Sequence, residues 1–173
     1  MKILIPLDGF KESEAVIPFV ENLVSETLWE KKFEITLLHV IPSFRPFDVP
    51  PVYYNERELV GMMTESNSYL KKAGECLESK GALISVKTVV SRDSAEEIVK
   101  AAEEINVDLI AMATHGRSGI SRWAIGSIAD KVQKREKRIP VVTVKATYEW
   151  EHNIPLVTVQ TPSEQQERIP IHA

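Results

Sequence analysis

Nine residues, Arg117 to Ile125, separate Gly116 from Gly126, and Ser127 follows at once. Two glycines and a hydroxyl in that arrangement suit phosphate binding, because glycine permits close backbone approach and positive φ, and serine adds a donor. The run before them, Val107-Asp-Leu-Ile-Ala-Met112, reads as a buried parallel strand, and Ile128-Ala-Asp-Lys-Val132 after them reads as a helix. A loop between two such elements aims its own N–H groups, and the unpaired N–H groups of the helix's first turn, at one spot. The helix macrodipole favours negative charge there. The motif is not a P-loop, since the Gly-Lys-Ser/Thr ending is missing, and its glycines stand too far apart for the dinucleotide fingerprint. Arg117 and Arg122 lie inside the loop, either as counter-charges for a polyphosphate or as solvated surface arginines. His115 is read as orienting the turn, with donation to a phosphate as the alternative.

A second chemical group ends the first apolar run, Lys2-Ile-Leu-Ile-Pro-Leu-Asp8-Gly9. The Asp8 carboxylate can accept from sugar hydroxyls or a base edge; the alternative is a turn residue, a common use of Asp-Gly. His39, His152 and His172 have no metal-ligand spacing with one another or with Cys76, so no metal site is expected. Magnesium would arrive with a nucleotide's phosphates, needing few protein ligands of its own. Cys76, the lone cysteine, falls in a helical pattern with Leu70, Ala73 and Leu77 and reads as a packed small residue, which excludes an intrachain disulfide. No catalytic base stands out.

The elements that must position these groups follow from periodicity. Strands are expected at Lys2–Pro6, Phe33–Ile41, Leu83–Val90, Val107–Ala113 and Pro140–Lys145, and helices near Ser13–Trp29, Arg57–Lys80, Ser94–Asn106 and Ser127–Glu136. Pro18 fits only the first turn of a helix or a distortion. Alternating strands and helices predict one α/β domain, a parallel sheet covered on both faces and joined by right-handed crossovers. Residues 1–146 make up this domain. Within it, Pro42–Asn55, with four prolines and four aromatic residues, reads as an inserted packed loop. Residues 147–173 form a tail with a possible extra strand at 155–159.

At this point the chain resembles the universal stress protein family, whose nucleotide-binding members carry Gly-x2-Gly-x9-Gly-Ser/Thr after the fourth strand. Gly116, the nine-residue spacer, Gly126 and Ser127 match, and Ala113 stands in place of the first glycine. Leu37-Leu-His-Val40, Ser94-Ala-Glu-Glu-Ile98 and Pro140-Val-Val-Thr-Val144 extend the likeness over residues 1 to 146. The resemblance implies a Rossmann-like five-stranded sheet of order 3-2-1-4-5, whose order reverses between strands 1 and 4, where open α/β sheets bind ligands. It implies a base among Pro6, Leu7, Asp8, Val40, Met112 and Ala113, with phosphates on Gly116, Gly126, Ser127 and the N–H of Ile128, and the Arg117 counter-charge would join them. It also implies a homodimer through the 140–145 edge strand.

With a formal net charge of −4, nucleic acid held by bulk charge is not expected. No apolar run approaches the roughly 20 residues of a membrane helix, and the N-terminus lacks signal-peptide architecture, so a cytoplasmic protein is expected. The leading reading is a module that binds ATP or another adenine nucleotide and acts as a stress or regulatory switch through a dimer. The alternatives are a slow ATP hydrolase or phosphotransferase on the same site, and a structural dimer without ligand.

Overall fold

The computed structural model describes residues 1–26, 32–44, 53–114 and 127–145, and the backbone of 156–160. The motif residues 115–126, with His115, Gly116, Arg117, Arg122 and Gly126, lie outside the described residues, as does the middle of the proline-rich loop. In chain order the elements are β1 (Lys2–Pro6), α1 (Lys11–Glu14), α2 (Ile17–Glu26), β2 (Glu34–Pro42), α3 (Glu56–Ser79) and β3 (Leu83–Ser91). They continue with α4 (Ser94–Ile105), β4 (Leu109–Thr114), α5 (Ser127–Arg135), β5 (Val141–Lys145) and β6 (Leu156–Gln160). The single helix expected from Ser13 is interrupted after Glu14 and restarts at Ile17, which puts Pro18 in a first turn, where its missing N–H costs nothing.

The sheet order is β3-β2-β1-β4-β5-β6. The first five strands are parallel, as the order 3-2-1-4-5 requires, and β6 is added antiparallel to β5 along its whole length. The expectation that β5 forms the edge is thereby corrected. An apolar, β-prone strand left open would template association, and the tail supplies the neighbour that prevents it.

Side-chain alternation divides the core. Ile3, Ile5, Ile35 and Leu37 face α2 and α3, packing on Val20, Val24, Leu70 and Leu77. Leu4, Leu38, Ile110 and Met112 face α4 and α5, packing on Ile98, Ala102, Ala129 and Val132. The central residues Ile3, Leu4 and Ile5 are wholly buried because helices cover both faces of β1.

Two helices, α3 and α4, start where side chains replace missing backbone partners. Asn55 and Glu58 form a reciprocal capping box at α3, with bonds of 3.0 and 2.8 Å. Asp93 caps α4 by accepting from Ala95 and Glu96, and it also meets the Arg135 guanidinium on α5 at 2.8 Å. At the other end of α4, Asn106 takes the left-handed conformation at φ 55, which asparagine tolerates. Arg135 and these N–H groups hold the Asp93 carboxyl down at about 2, against an ordinary 3.8. A depressed carboxyl contributes stability above its unfolded value and loses it as pH falls through the folded one. Asp93→Ala is therefore expected to cost about 1 kcal/mol at neutral pH, mostly as the lost cap, because the ion pair is half-exposed and adds little. Chemical denaturation should show this deficit shrinking between pH 3.8 and 2; a deficit independent of acid would assign the effect to something other than the carboxylate.

Three basic residues in the last turn of α5 and just beyond it have acidic partners. Lys134 pairs with Asp130, Arg135 with Asp93 and Arg138 with Glu103. Cys76 packs half-buried against the α3 side of the core, and burial raises its thiol above its usual pKa, as for an inert structural cysteine. Among the described residues no helix is long and apolar enough to cross a membrane.

Candidate functional site

The reversal of strand order falls between β1 and β4, and here the sheet opens. These two strands pair only through Ile3 with Leu109 and Leu4 with Ile110. Beyond that point β1 stays with β2 as far as Pro6 opposite Leu38, and β4 stays with β5 as far as Thr114 opposite Lys145. Each central strand follows its outer neighbour, so their carboxyl ends part and leave a crevice, the usual ligand position in an open α/β sheet.

The described residues among those singled out by sequence all lie at this carboxyl end. Pro6 ends β1, and the Leu7 N–H donates to Leu38 O at 2.8 Å, carrying the β1–β2 register one residue further. Leu7 and Met112 are buried, while Asp8, Val40 and Ala113 are partly covered. Val40 and Met112 face the α4–α5 side, and Ala113 the other. Ser127, exposed, is the first residue of α5, and Ile128 after it is 40% exposed, while Ala129 and Val132 turn into the core. The first turn of this nine-residue helix thus shows a hydroxyl and unpaired N–H groups outward.

Asp8 does take part in a turn. Its Oδ1 accepts from the Phe10 N–H at 3.1 Å, and its own N–H donates to Ser13 Oγ at 3.3 Å. Gly9 sits between at φ +85, a conformation that favours glycine. The turn reading of Asp-Gly therefore describes the local geometry, and it places the carboxylate at the rim of the crevice.

Beside the crevice the structure contains a cavity of about 340 Å³ between the end of β2 and α3. Its walls are Ile41, Pro42, Met62 and Tyr69; His39, Glu65 and Ser66 are its polar members, and Gly9 lies at the end nearest Asp8. Hydrogen bonds run through its lining. His39 Nδ1 meets Ser66 Oγ at 2.8 Å, Ser66 Oγ meets Thr88 Oγ1 at 2.8 Å, and Thr88 donates to Asn67 Oδ1 at 2.9 Å. The His39 and Tyr69 rings meet edge to face at 6.4 Å. Burial lowers the His39 imidazole below 6.5, against a smaller opposing pull from Asp8, and keeps it neutral at pH 7. The Tyr69 hydroxyl is pushed up by burial and by Glu14.

Sequence reasoning weighed His39 only as a metal ligand and passed over Ser66 and Thr88. The available signal was alternation along β2, which puts a polar His39 on the face that otherwise carries Ile35, Leu37 and Ile41. Across the loop that follows β2, Phe44 and Tyr53 form an antiparallel bridge, and the Arg92 guanidinium lies 5.1 Å from the Tyr53 ring. The two ends of the proline-rich segment are thereby pinned to one another and to the end of β3. Among the described residues no group of three or more His, Cys, Asp or Glu side chains could hold a metal ion.

A parallel α/β sheet whose strand order reverses between β1 and β4, followed after β4 by a helix that begins at Ser127, defines an α/β domain of the Rossmann-like class. More particularly, the chain belongs to the universal stress protein family, whose model matches residues 1–145. It is 32% identical over 146 residues to universal stress protein MJ0531 of Methanocaldococcus jannaschii, covering 83% of this chain and 81% of that one. To universal stress protein MJ0577 of the same organism it is 31% identical over 158 residues, covering 83% of this chain and 94% of the relative. The solved structure of MJ0577 matches with a TM-score of 0.66 over 86% of this chain and 97% of that one. A universal stress protein from Archaeoglobus fulgidus, solved in complex with dAMP, shares the fold at 16% identity, with a TM-score of 0.55 over 83% of this chain and 96% of that one.

Proposed function

We propose that this protein binds an adenine nucleotide, ATP in the first instance, at the crevice between β1 and β4, and acts as a stress or regulatory switch in the cytoplasm. The observation that carries the reading is the parting of β1 and β4 after two residue pairs, with Asp8 on one lip and Met112, Ala113 and the Ser127 end of α5 on the other. The described residues fit such a ligand. The Asp8 carboxylate at the rim suits a sugar, partly covered Val40 and Ala113 suit a base, and the exposed Ser127 hydroxyl with the first-turn N–H groups of α5 suits phosphate. Gly116, Arg117 and Gly126 enter this site on the sequence pattern, and magnesium would come with the phosphates. The dAMP complex of a fold relative supports an adenine nucleotide as the ligand class. Turnover ranks below binding, because phosphoryl transfer needs a base or water-orienting group and the described rim offers none beyond Asp8.

Calorimetric titration with ATP tests the reading. Binding is expected in the wild type, and Asp8→Ala should weaken adenosine and ATP alike by about tenfold or more, the worth of a hydrogen bond to a charged group. Loss confined to the triphosphate would move Asp8 from the sugar to the phosphates. Absence of ATP binding in the wild type would overturn the proposal.

The same proposal includes a homodimer. Because β6 occupies the outer side of β5, association at this end of the sheet runs through β6, either edge to edge or by exchange of the tail between copies. Light scattering at micromolar concentration should give about twice the chain mass of 19.5 kDa. A single-chain mass would refute the dimer and leave β6 as an intramolecular cover.

A further inference from the structure

The cavity between the end of β2 and α3 lies on the α2–α3 face of the sheet, whereas Val40 and Met112 face α4 and α5, so it is a space separate from the one given to a base. Its polar members are not equivalent. Ser66 is buried, and its hydroxyl is already committed to His39 and Thr88, at 2.8 Å each. The Tyr69 hydroxyl is sealed from solvent near Glu14 and Ser13, so the ring and not the hydroxyl meets the space. What remains for a ligand is the His39 ring and the Glu65 carboxylate. Glu65 is exposed on α3 and has no ion-pair partner among the described residues.

The charge of a suitable ligand follows from these groups. Among the described residues no lysine or arginine lines the cavity, and burial lowers the His39 imidazole, so nothing there neutralises an anion at pH 7. Negative charge, by contrast, arrives from three directions. Asp8 beyond β1 acts on both the His39 and Tyr69 rings, Glu14 of α1 acts on Tyr69, and Glu65 of α3 stands in the lining itself. The remaining walls, Ile41, Pro42 and Met62 with the Tyr69 ring, call for an apolar body, and aromatic surface attracts cations as well as apolar groups.

We infer that this cavity is a second ligand site, which takes a small organic cation: an ammonium group held at Glu65 and an apolar or aromatic body seated between Ile41, Pro42, Met62 and Tyr69. A volume of about 340 Å³ falls at the small end of ordinary ligand pockets and accommodates one ring with a short arm. The site goes beyond the nucleotide reading and does not depend on it.

Benzylamine is the probe, with benzyl alcohol as its neutral counterpart and benzoate as its anionic one. In 1H–15N spectra of the wild type, millimolar benzylamine should move the amide resonances of Gly9, Met62, Glu65 and Ser66. The amine should bind about fivefold more tightly than the alcohol, the upper end for an exposed ion pair, because the charges of Asp8 and Glu14 add to that of Glu65. Benzoate should leave the spectrum in place. Glu65→Gln keeps the shape and removes the charge, so it should weaken the amine about threefold and leave the alcohol unchanged. Met62→Trp, which fills the space, should abolish the shifts caused by both, with the melting temperature showing that the variant is folded. Absence of amine binding, equal affinity for amine and alcohol, an amine affinity unmoved by Glu65→Gln, or shifts centred on Val40, Met112 and Ala113 would each overturn the inference and leave the nucleotide reading as it stands.

Discussion

A Gly74→Val variant is expected to lose about 2–3 kcal/mol of stability, the usual cost of overpacking a filled core, and to melt roughly 5–10 °C below the wild type. Gly74 lies in the carboxyl-terminal third of α3, where the helix rests on β2 and β3. A Cβ there would meet Ile84 Cγ2 at 2.9 Å and Leu37 Cδ1 at 3.1 Å. Neither atom is the end of a long flexible chain. Leu37 is wholly buried, and Ile84 branches at its Cβ, so relief requires the helix to lift from the sheet. The same helix supplies its own control, since Gly61 has nothing within 4 Å of the position a Cβ would take. Gly61→Ala should gain about 0.5–1 kcal/mol from helix propensity alone. Thermal denaturation of the two variants separates packing from propensity. A Gly74→Val protein that melts with the wild type would mean that α3 does not seat on the sheet at this residue, and the cavity at its amino-terminal half would lose its wall.

The second large effect falls on ligand binding. If residues 116–127 cradle phosphate, Gly126→Val should lower ATP affinity by about 100-fold or more, roughly 2.7 kcal/mol. A β-branched side chain blocks the backbone approach that glycine permits and raises the cost of positive φ. Ser127 and the buried Ala129 and Val132 of α5 follow the substituted position, so the far-ultraviolet circular dichroism and melting temperature show whether the helix survives. A folded Gly126→Val protein that binds ATP as tightly as the wild type would sink the cradle assignment.

Much of the fold is legible in the chain because its signals are local. The apolar run Ile3-Leu4-Ile5 can only be a strand covered on both faces, and all three residues are wholly buried. Ser94, with Asp93 before it, starts a helix where the pattern says it should, since a cap is a property of four consecutive residues. Pro18 restricts the first long helix to a start just before it, and the chain takes that option. Expected and observed strand bounds differ by one or two residues, as fraying ends do. Asp8 was legible as a group at the carboxyl end of β1, although its part in a turn and its place on the rim emerge together only once Phe10 and Ser13 fold back on it.

By itself, then, the sequence determined the parallel α/β alternation, the two-sided burial of the central strands and the candidate phosphate motif, because each is written in periodicity or in neighbouring residues. The strand order came from family resemblance and is confirmed by the register. Tertiary structure alone decided the rest. The parting of β1 from β4 depends on competition between four strands, each holding to its outer neighbour. A further strand at 155–159 was legible in the sequence as a possible cover for β5, but that it pairs antiparallel with β5 along its whole length is decided only in the fold. The contact of His39 with Ser66, 27 residues away, and of Ser66 with Thr88, a further 22 residues on, exists only because folding brings those two hydroxyls into line with the ring.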